Sequence, residues 1–482
     1  MPGPGIIAYG GYVPMMRMPR AAIADAMDWA NPSLRSRAIG ERSICDWDED
    51  SITMAVEAAR VCLAGRDKSG IDIFHLASTT LPFADRDNAV VAAAALGLSD
   101  SVLCQDVSAS QRAATSSLAM LTKSSGDNTE RLIAAADRRL AKPGSILEMS
   151  YGHGAASVLL GRDDVIAEFL GAATVNSDFV DHHRASGESF DYGYEQRWVR
   201  DEGYFKLIPA AVARVLAQTG VAPAEIDHIV LPCPVGIARK LATEMSMAAD
   251  RTADDLARVC GHTGAAHPLM MLCDTLDRAS PGQTLLLAGF GQGADALLIR
   301  TTDRLTGNRA SLATSLAHRR EETNYNRFLS LCGLLETDWG HRAEHDKRTA
   351  MPTAYRKRDA VTSFVGGRCA ACGTVQFPQT LVCVNPDCRR PHTQEPFRFA
   401  DESARVKSYT EDWLGFSPNP PLMYGNVAFG NGANILMEFA DARPGDLEVG
   451  MPLVMRFRIK DIDERRHFRR YFWKAAPLHG EH

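Results

Sequence analysis

The chain has 482 residues, too many for one ordinary hydrophobic core and enough for two or three. With 45% apolar residues, 23% charged residues and a net charge of -6, it reads as a mildly acidic globular protein with no electrostatic draw toward nucleic acid or anionic membranes. No apolar stretch reaches the ~18 residues of a membrane span, and the opening carries no secretory signature. Scattered thiols such as Cys45, Cys62, Cys104 and Cys273 then fit the cytoplasm.

From residue 1 to about 303, short β-branched runs alternate with helical stretches. Strands are expected over 6–8, 71–77, 132–136, 155–160, 229–231 and 284–288, and helices over 51–64, 88–96, 113–124, 210–218 and 268–277. Such alternation favours a layered α/β domain with helices covering a sheet. Two similar halves are visible within it. Each has an Ile-Asp strand entry, at Ile71-Asp72 and Ile226-Asp227, and later a Gly-rich strand, at Gly152 to Ala156 and Gly289 to Ala294. The grammar suggests an internal duplication.

Residues 304–360 are polar and charged, including Arg319 to Glu322 and Glu344 to Arg348, and read as a solvated linker with helical parts. Over 361–400, Cys369 and Cys372 form one pair, and Cys383 and Cys388 a second. Four thiolates on two turns suit a tetrahedral zinc ion, with Gly373 and Pro386-Asp387 supplying the turns. A closed four-sulfur shell leaves no open position for substrate, so the expected zinc is structural. A disulfide pair is the competing reading of those cysteines. Over 401–482, strand-like runs at 405–410, 426–429, 433–439 and 453–459 suggest a small OB-type β-barrel, with the aromatic stretch 468–473 as its closing strand.

The first domain resembles the thiolase superfamily, in its 3-hydroxy-3-methylglutaryl-CoA synthase and ketoacyl synthase III branch. The resemblance is carried by Gly5 to Pro14, by Asp48 to Arg60, by Ala134 to Asp137 with Glu148 and Gly152 to Ser157, and by Gly289 to Asp295. The C-terminal part resembles the zinc-ribbon and OB-fold partner of thiolase-like enzymes (the DUF35 type), here fused in one chain. The resemblance implies a thiolase-like duplicated layered α/β fold, a CoA thioester as substrate and a homodimer or higher homo-oligomer.

The same resemblance places a cysteine nucleophile at a helix N-terminus, where the helix dipole and unpaired amides favour a thiolate. This chain has Gln111 there, in Asp106 to Ser116. An amide cannot carry an acyl group. The synthase's general-acid glutamate falls near Thr79, and its histidine falls at Pro232. His262, in the Gly-rich segment Cys260 to His267, aligns with a loop that carries histidine in some relatives, and there it would donate to a thioester oxygen and stabilise an enolate. A histidine satisfying backbone groups in a tight turn is the plainer reading.

Ser108 and Ser110 flank Gln111 as substitute nucleophiles or, more simply, as helix caps. Cys233 is the alternative thiol, or an inert buried one, and Cys104 is expected to pack in the core. Gly291 and Ser110 would line the acyl channel. Arg239 and Lys240, with Arg197 and Arg200, are candidate CoA phosphate contacts or plain surface charge.

These residues point to an enzyme that makes or breaks a carbon-carbon bond beside a CoA thioester without a cysteine acyl-enzyme, by retro-aldol cleavage, decarboxylation or β-keto cleavage. Covalent or CoA-dependent acyl transfer, and a non-catalytic acyl-CoA-binding scaffold, are the alternatives. Nucleic-acid binding through the zinc and barrel elements conflicts with the acidic balance.

Overall fold

The computed structural model describes residues 4–123, 129–306, 311–345 and 347–478. Ser124, Asp346 and the outermost residues 1–3 and 479–482 of the expected domains lie outside the described residues. The chain forms two compact units. The first is Met1–Cys45, Asp50–Ala93 and Leu98–Phe328; the second is Asp46–Glu49, Ala94–Gly97 and Leu329–His482.

The first unit is built on one mixed sheet of nine strands. In chain order these are β1 (Gly5–Tyr12), β2 (Ile71–Ala77), β3 (Leu103–Val107), β4 (Glu130–Arg138), β5 (His153–Gly161), β6 (Ala167–Asn176), β7 (His228–Val230), β8 (Thr284–Phe290) and β9 (Gly293–Thr301). Their spatial order is β7-β8-β9-β6-β1-β5-β4-β2-β3. Read outward from the centre, β6-β9-β8-β7 and β1-β5-β4-β2 repeat one pattern, two antiparallel pairings followed by a parallel one. The halves meet where β1 pairs antiparallel with β6 through Gly5 and Ile6.

The helices repeat too. Helix α1 (Ser51–Cys62) lies in sequence between β1 and β2, and α3 (Phe205–Thr219) between β6 and β7. Likewise α2 (Ala113–Lys123) leads into β4, and α5 (His267–Arg278) into β8. The duplication expected from the sequence is therefore a property of the sheet order and of the helix placement. Helix α1 starts at a capping box in which Asp50 accepts from the Thr53 amide and the Thr53 hydroxyl accepts from the Asp50 amide. Helices α2 and α5 bury most of their surface in one core with Ala156, Val158, Leu287 and Leu297.

Helix α4 (Val235–Glu244) and strands β6 and β9 add to the expected elements. Two expectations need correction. Cys104 is half-buried on the edge strand β3 rather than packed in the core, because β3 has a neighbour on one side only. Part of the expected linker belongs to the first core, since Leu305 and Leu312 are buried there and the Val13 amide donates to Ser315 Oγ (2.7 Å).

In the second unit a small sheet of β10 (Val365–Cys369), β11 (Val375–Gln376) and β12 (Gln394–Arg398) carries the cysteine turns. The strands β13 (Ala404–Asp412), β14 (Leu422–Phe429), β15 (Asn434–Glu438), β16 (Pro452–Asp463) and β17 (Phe468–Pro477) follow, in the order β15-β14-β13-β16-β17. Phe439, directly after β15, pairs with Ala475 of β17, which closes the ring β13-β14-β15-β17-β16 expected of an OB barrel. Strand β17 is the aromatic closing strand, with Trp473 fully buried and stacked near Phe364.

Two cations are buried with the barrel. Arg458 pairs with Asp441 (3.1 Å) and Glu49 (3.3 Å), and Lys474 with Asp48 (2.9 Å) and Glu438 (3.1 Å). Removing one partner from such a set strands the opposite charge in a poorly solvated place, at a cost of about 3–5 kcal/mol. Lys474→Met is therefore expected to lower the unfolding free energy of the full-length protein by that scale and its urea midpoint accordingly, followed through fluorescence of the tryptophans. An unchanged midpoint would contradict the burial of these charges.

Candidate functional site

The site is fastened by one carboxylate. Asp137, at the end of β4, is fully buried and accepts from Ser78 Oγ (2.9 Å), Thr79 N (2.7 Å), Thr79 Oγ1 (2.8 Å), Thr80 Oγ1 (3.0 Å) and Ala265 N (2.7 Å). The end of β2 and the turn into α5 are thereby held to one point. Gly264 takes φ +60° in that turn, and any side chain there would run into Asp137 Oδ2. Thr79, at the expected general-acid position, is thus a donor to Asp137 and not an acid.

Gln111 lies just before α2. Its amide orientation is assigned by its neighbours, because three donors converge on one side of it. With the oxygen on that side, Gln111 Oε1 accepts from His182 Nε2 (2.8 Å), Arg139 Nη1 (2.8 Å) and Arg139 Nη2 (2.9 Å). His182 Nδ1 meets Asp181 Oδ2 at 2.7 Å, so both ring nitrogens face acceptors. Arg139 also donates to Tyr151 Oη (2.5 Å) and Asp191 Oδ2 (2.6 Å), and its guanidinium lies 3.8 Å over the Tyr151 ring. Arg184 bonds Asp191 Oδ1 (2.8 Å) and reaches the Thr79 carbonyl. Burial pushes the Asp191 carboxyl up, but the Arg139 charge and the hydrogen bonds from Tyr151 and Arg139 outweigh it and hold it below the usual carboxylate range.

His262 sits on the opposite half of the fold in sequence, yet shares this environment. Its amide donates to the Ser150 carbonyl (2.9 Å), its carbonyl accepts from Gly152 N (3.0 Å), and its ring stacks on His267 with centroids 4.2 Å apart. The residue as a whole is half-buried. Burial, then His267, Arg139 and His182, hold His262 well below its ordinary value, against the pull of the Pro232 backbone. It is a neutral imidazole at neutral pH. Nδ1 accepts from Gly264 N (3.2 Å), which leaves the proton on Nε2. His267 is lowered to about 4 by burial, and His153, fully buried, lies well below its ordinary value for the same reason.

The remaining candidates separate. Ser110 Oγ donates to the Gly291 carbonyl (2.9 Å) and accepts from Arg112 N (3.3 Å), so it holds the helix entry to the Gly291 loop, where Gly291 adopts φ +155°. Cys233 is buried and its thiol is pushed up to about 12, by burial first and the Asp255 charge second, which removes the thiolate an alternative nucleophile needs. Arg239 and Lys240 are exposed on α4, with no ion pair to the Gln111 cluster among the described residues. Arg197 and Arg200 pair with Asp201 (3.6 and 2.6 Å).

Arg139, Tyr151, His182, Arg184 and Asp191 escaped the sequence reading. The run Asp181-His182-His183-Arg184, rich in titratable groups and without apolar periodicity, was the available signal.

In the second unit the Sγ atoms of Cys369, Cys372, Cys383 and Cys388 lie within 4.8 Å of one another. Cys369 and Cys388 are 3.9 Å apart, and Cys372 and Cys383 3.6 Å. A tetrahedral ion with bonds of ~2.3 Å to sulfur requires sulfur-sulfur edges of about 3.8 Å, so the four residues fit zinc. None of the four is in a disulfide. They would hold the ion structurally, and it would supply folding energy to the ribbon.

Comparison with known proteins agrees with this division. Residues 216–300 match the family described as 3-oxoacyl-[acyl-carrier-protein] synthase III C terminal, and residues 360–392 the ChsH2 rubredoxin-like zinc ribbon domain. The hydroxymethylglutaryl-CoA synthase of Methanocella arvoryzae is 31% identical over 317 residues, covering 63% of this chain and 89% of that protein. That of Methanopyrus kandleri is 30% identical, with 62% and 88% covered. The solved structure of MvaS in complex with 3-hydroxy-3-methylglutaryl coenzyme A superposes with a TM-score of 0.60 at 18% identity, over 70% of this chain and 93% of that one. FabH from Pseudomonas aeruginosa gives 0.56 at 21%, over 62% and 98%. Among the described residues no helix is long and apolar enough to cross a membrane.

Two outcomes follow from these sites. Purified protein is expected to contain about one zinc per chain by elemental analysis, and Cys372→Ala or chelation should unfold the ribbon, since the ion supplies much of a small ribbon's folding energy. Stable, zinc-free protein would rule the metal centre out. Stability should also fall with acid. His153, His262 and His267 have folded values below the unfolded value of ~6.5, so the unfolded chain gains protons first as pH drops. Each contributes a loss of about 1.4 kcal/mol per pH unit below ~6.5, down to its own folded value, about 4 for His267. Urea titrations between pH 7.5 and 5 should show this decline, and a flat profile would contradict neutral burial.

Proposed function

Because this chain belongs to the hydroxymethylglutaryl-CoA synthase family and has an amide where the resemblance places a thiol nucleophile, we propose that it makes or breaks a carbon-carbon bond beside a CoA thioester without an acyl-enzyme. The observation that carries this is the fixed Gln111 oxygen, held by three donors from His182 and Arg139. A side chain so anchored is a positioned dipole and has no nucleophilic electron pair to offer an acyl carbon. The Ser110 hydroxyl, committed to Gly291, and the protonated Cys233 thiol support the same reading.

Retro-aldol cleavage, decarboxylation or β-keto cleavage needs a place for the electron pair of the breaking bond, and the thioester carbonyl accepts it as an enolate. His262, neutral with its proton on Nε2, is the donor we assign to that oxygen, which would take the place of the Pro232 carbonyl as the acceptor of this N–H. A neutral imidazole suits the task, because its acidity is closer to that of an enol than an imidazolium's is. Gly291 and Ser110 line the same region. We further propose a cytoplasmic homodimer formed through the first unit. Light scattering is expected to give twice the 52.5 kDa chain mass, and a persistent monomer would refute it.

The decisive test pairs kinetics with mass spectrometry on 3-hydroxyacyl- and 3-oxoacyl-CoA thioesters. His262→Ala should lower turnover roughly a hundredfold or more, the scale of losing one oxyanion donor, while Cys233→Ala keeps most activity. Intact-protein spectra should show no acyl adduct. An adduct on Cys233 or Ser110, or full activity of the His262 variant, would return the enzyme to covalent acyl transfer.

A further inference from the structure

His182 has two faces: one nitrogen bonds Gln111, and the residue also lines a cleft of about 440 Å³. That volume lies within the range of small-molecule sites. The cleft is walled by Phe179, Val180, Tyr192, Tyr194 and Trp198. Three of these aromatics are far more exposed than such residues usually are, with Tyr192 at 64%, Tyr194 at 59% and Trp198 at 43%. Their arrangement is ordered: Trp198 stacks on Phe179 with centroids 5.6 Å apart and 20° between planes, and Tyr194 meets Trp198 edge-on at 6.5 Å.

A second line of packed residues runs from this wall to the Gln111 site. Phe179 packs against Phe290 (6.3 Å), which immediately precedes Gly291, the residue whose carbonyl holds Ser110 and Arg112. Gly203 lets the two phenylalanines close in, because a side chain there would meet both rings. Gly203 falls in a π-helical turn, Val199–Tyr204, directly after Trp198, a local widening that recurs at functional positions.

We propose that this cleft is the acyl subsite of the thioester site and that it takes a flat, apolar acyl group, an aryl ring foremost. The inference rests on the function proposed above and names its substrate class. Stacked and edge-on faces suit a planar ring, which gains offset or edge contacts from Trp198 and Tyr194. The pantetheine arm of CoA is a poorer fit, because the lining is mostly aromatic and its polar groups are confined to Asp178, two histidines and the hydroxyls of Tyr192 and Tyr194. A one- or two-carbon acyl group would leave most of the cleft wet and its aromatics unused.

Calorimetric titration of the full-length protein with benzoyl-CoA, acetyl-CoA and free CoA tests this, alongside Trp198→Ala and Trp198→Phe. The expected result is tighter binding of benzoyl-CoA than of acetyl-CoA by roughly tenfold, lost in Trp198→Ala, largely restored in Trp198→Phe, with CoA and acetyl-CoA unchanged throughout. Thermal melting should fall only slightly, since Trp198→Ala removes the ring contacts with Phe179 and Tyr194 at a position 43% exposed. Equal affinity for the two thioesters, with binding intact, overturns the acyl subsite and leaves the proposed function standing. A parallel loss for CoA, acetyl-CoA and benzoyl-CoA in Trp198→Ala assigns the cleft to the pantetheine arm and overturns the proposal. A change in oligomeric mass without a change in affinity assigns it to an interface between copies, with the same consequence. Failure of the wild type to bind any of the three sinks the proposed function itself, and this inference with it.

Discussion

Five hydrogen bonds converge on the buried carboxylate of Asp137, and the arrangement of the first unit's site depends on them. Four come from side chains or amides at Ser78, Thr79 and Thr80, and they fix where β2 ends. Another, from Ala265, fixes where the second half of the fold turns into α5. Because a buried carboxylate without partners is very costly, this junction admits few alternatives. It also sets neighbours. The adjacent Arg139 is carried to Gln111, and the adjoining turn carries His262 to the same environment.

Once Arg139 is there, its charge needs an answer. Asp191 provides it, bridged to Arg139 and Arg184 and tied further by the Tyr151 hydroxyl. The remaining donors of Arg139 point at Gln111, and an amide oxygen is a suitable neutral acceptor for them. A neutral thiol in that place would accept poorly. This electrostatic setting is hence matched to the glutamine, and the same positive surroundings help keep His262 neutral. The anchored glutamine and the neutral histidine share one local field.

How much of this was legible in sequence depended on how local each feature is. The ribbon was readable because its four ligands fall between residues 369 and 388 and need only two turns to meet. The strand over 71–77 and the helix over 88–96 were placed to the residue, the first marked by Ile71, Ile73, Phe74 and Leu76 and the second by its alanine-rich run. Strand β6 was missed, since Gly171, Ala172 and Ala173 give it none of the usual strand signature, and it forms because β1 and β9 pair with it on either side. Gln111 and His262 stood out by their place in recognisable segments. Arg139, His182 and Asp191 did not, because their meeting is a product of the sheet order and no spacing rule predicts it.

The second unit follows a different logic. Its barrel is small, and small barrels bury too little apolar surface to be indifferent to a misplaced charge. Yet it encloses Arg458 and Lys474, and it answers them partly with Asp48 and Glu49, drawn from a four-residue stretch far upstream in sequence. The Asp48 carbonyl also accepts from Ile459 N (2.8 Å) of β16. A sequence reading that divides the chain at a linker has no way to assign Asp46–Glu49 to the barrel, since those residues precede α1. Buried pairs of this kind contribute little net stability compared with apolar packing, but they penalise every arrangement in which a partner is missing. The barrel's charges therefore act as a condition on which segment completes it, while its aromatic core around Phe364 and Trp473 supplies the driving force.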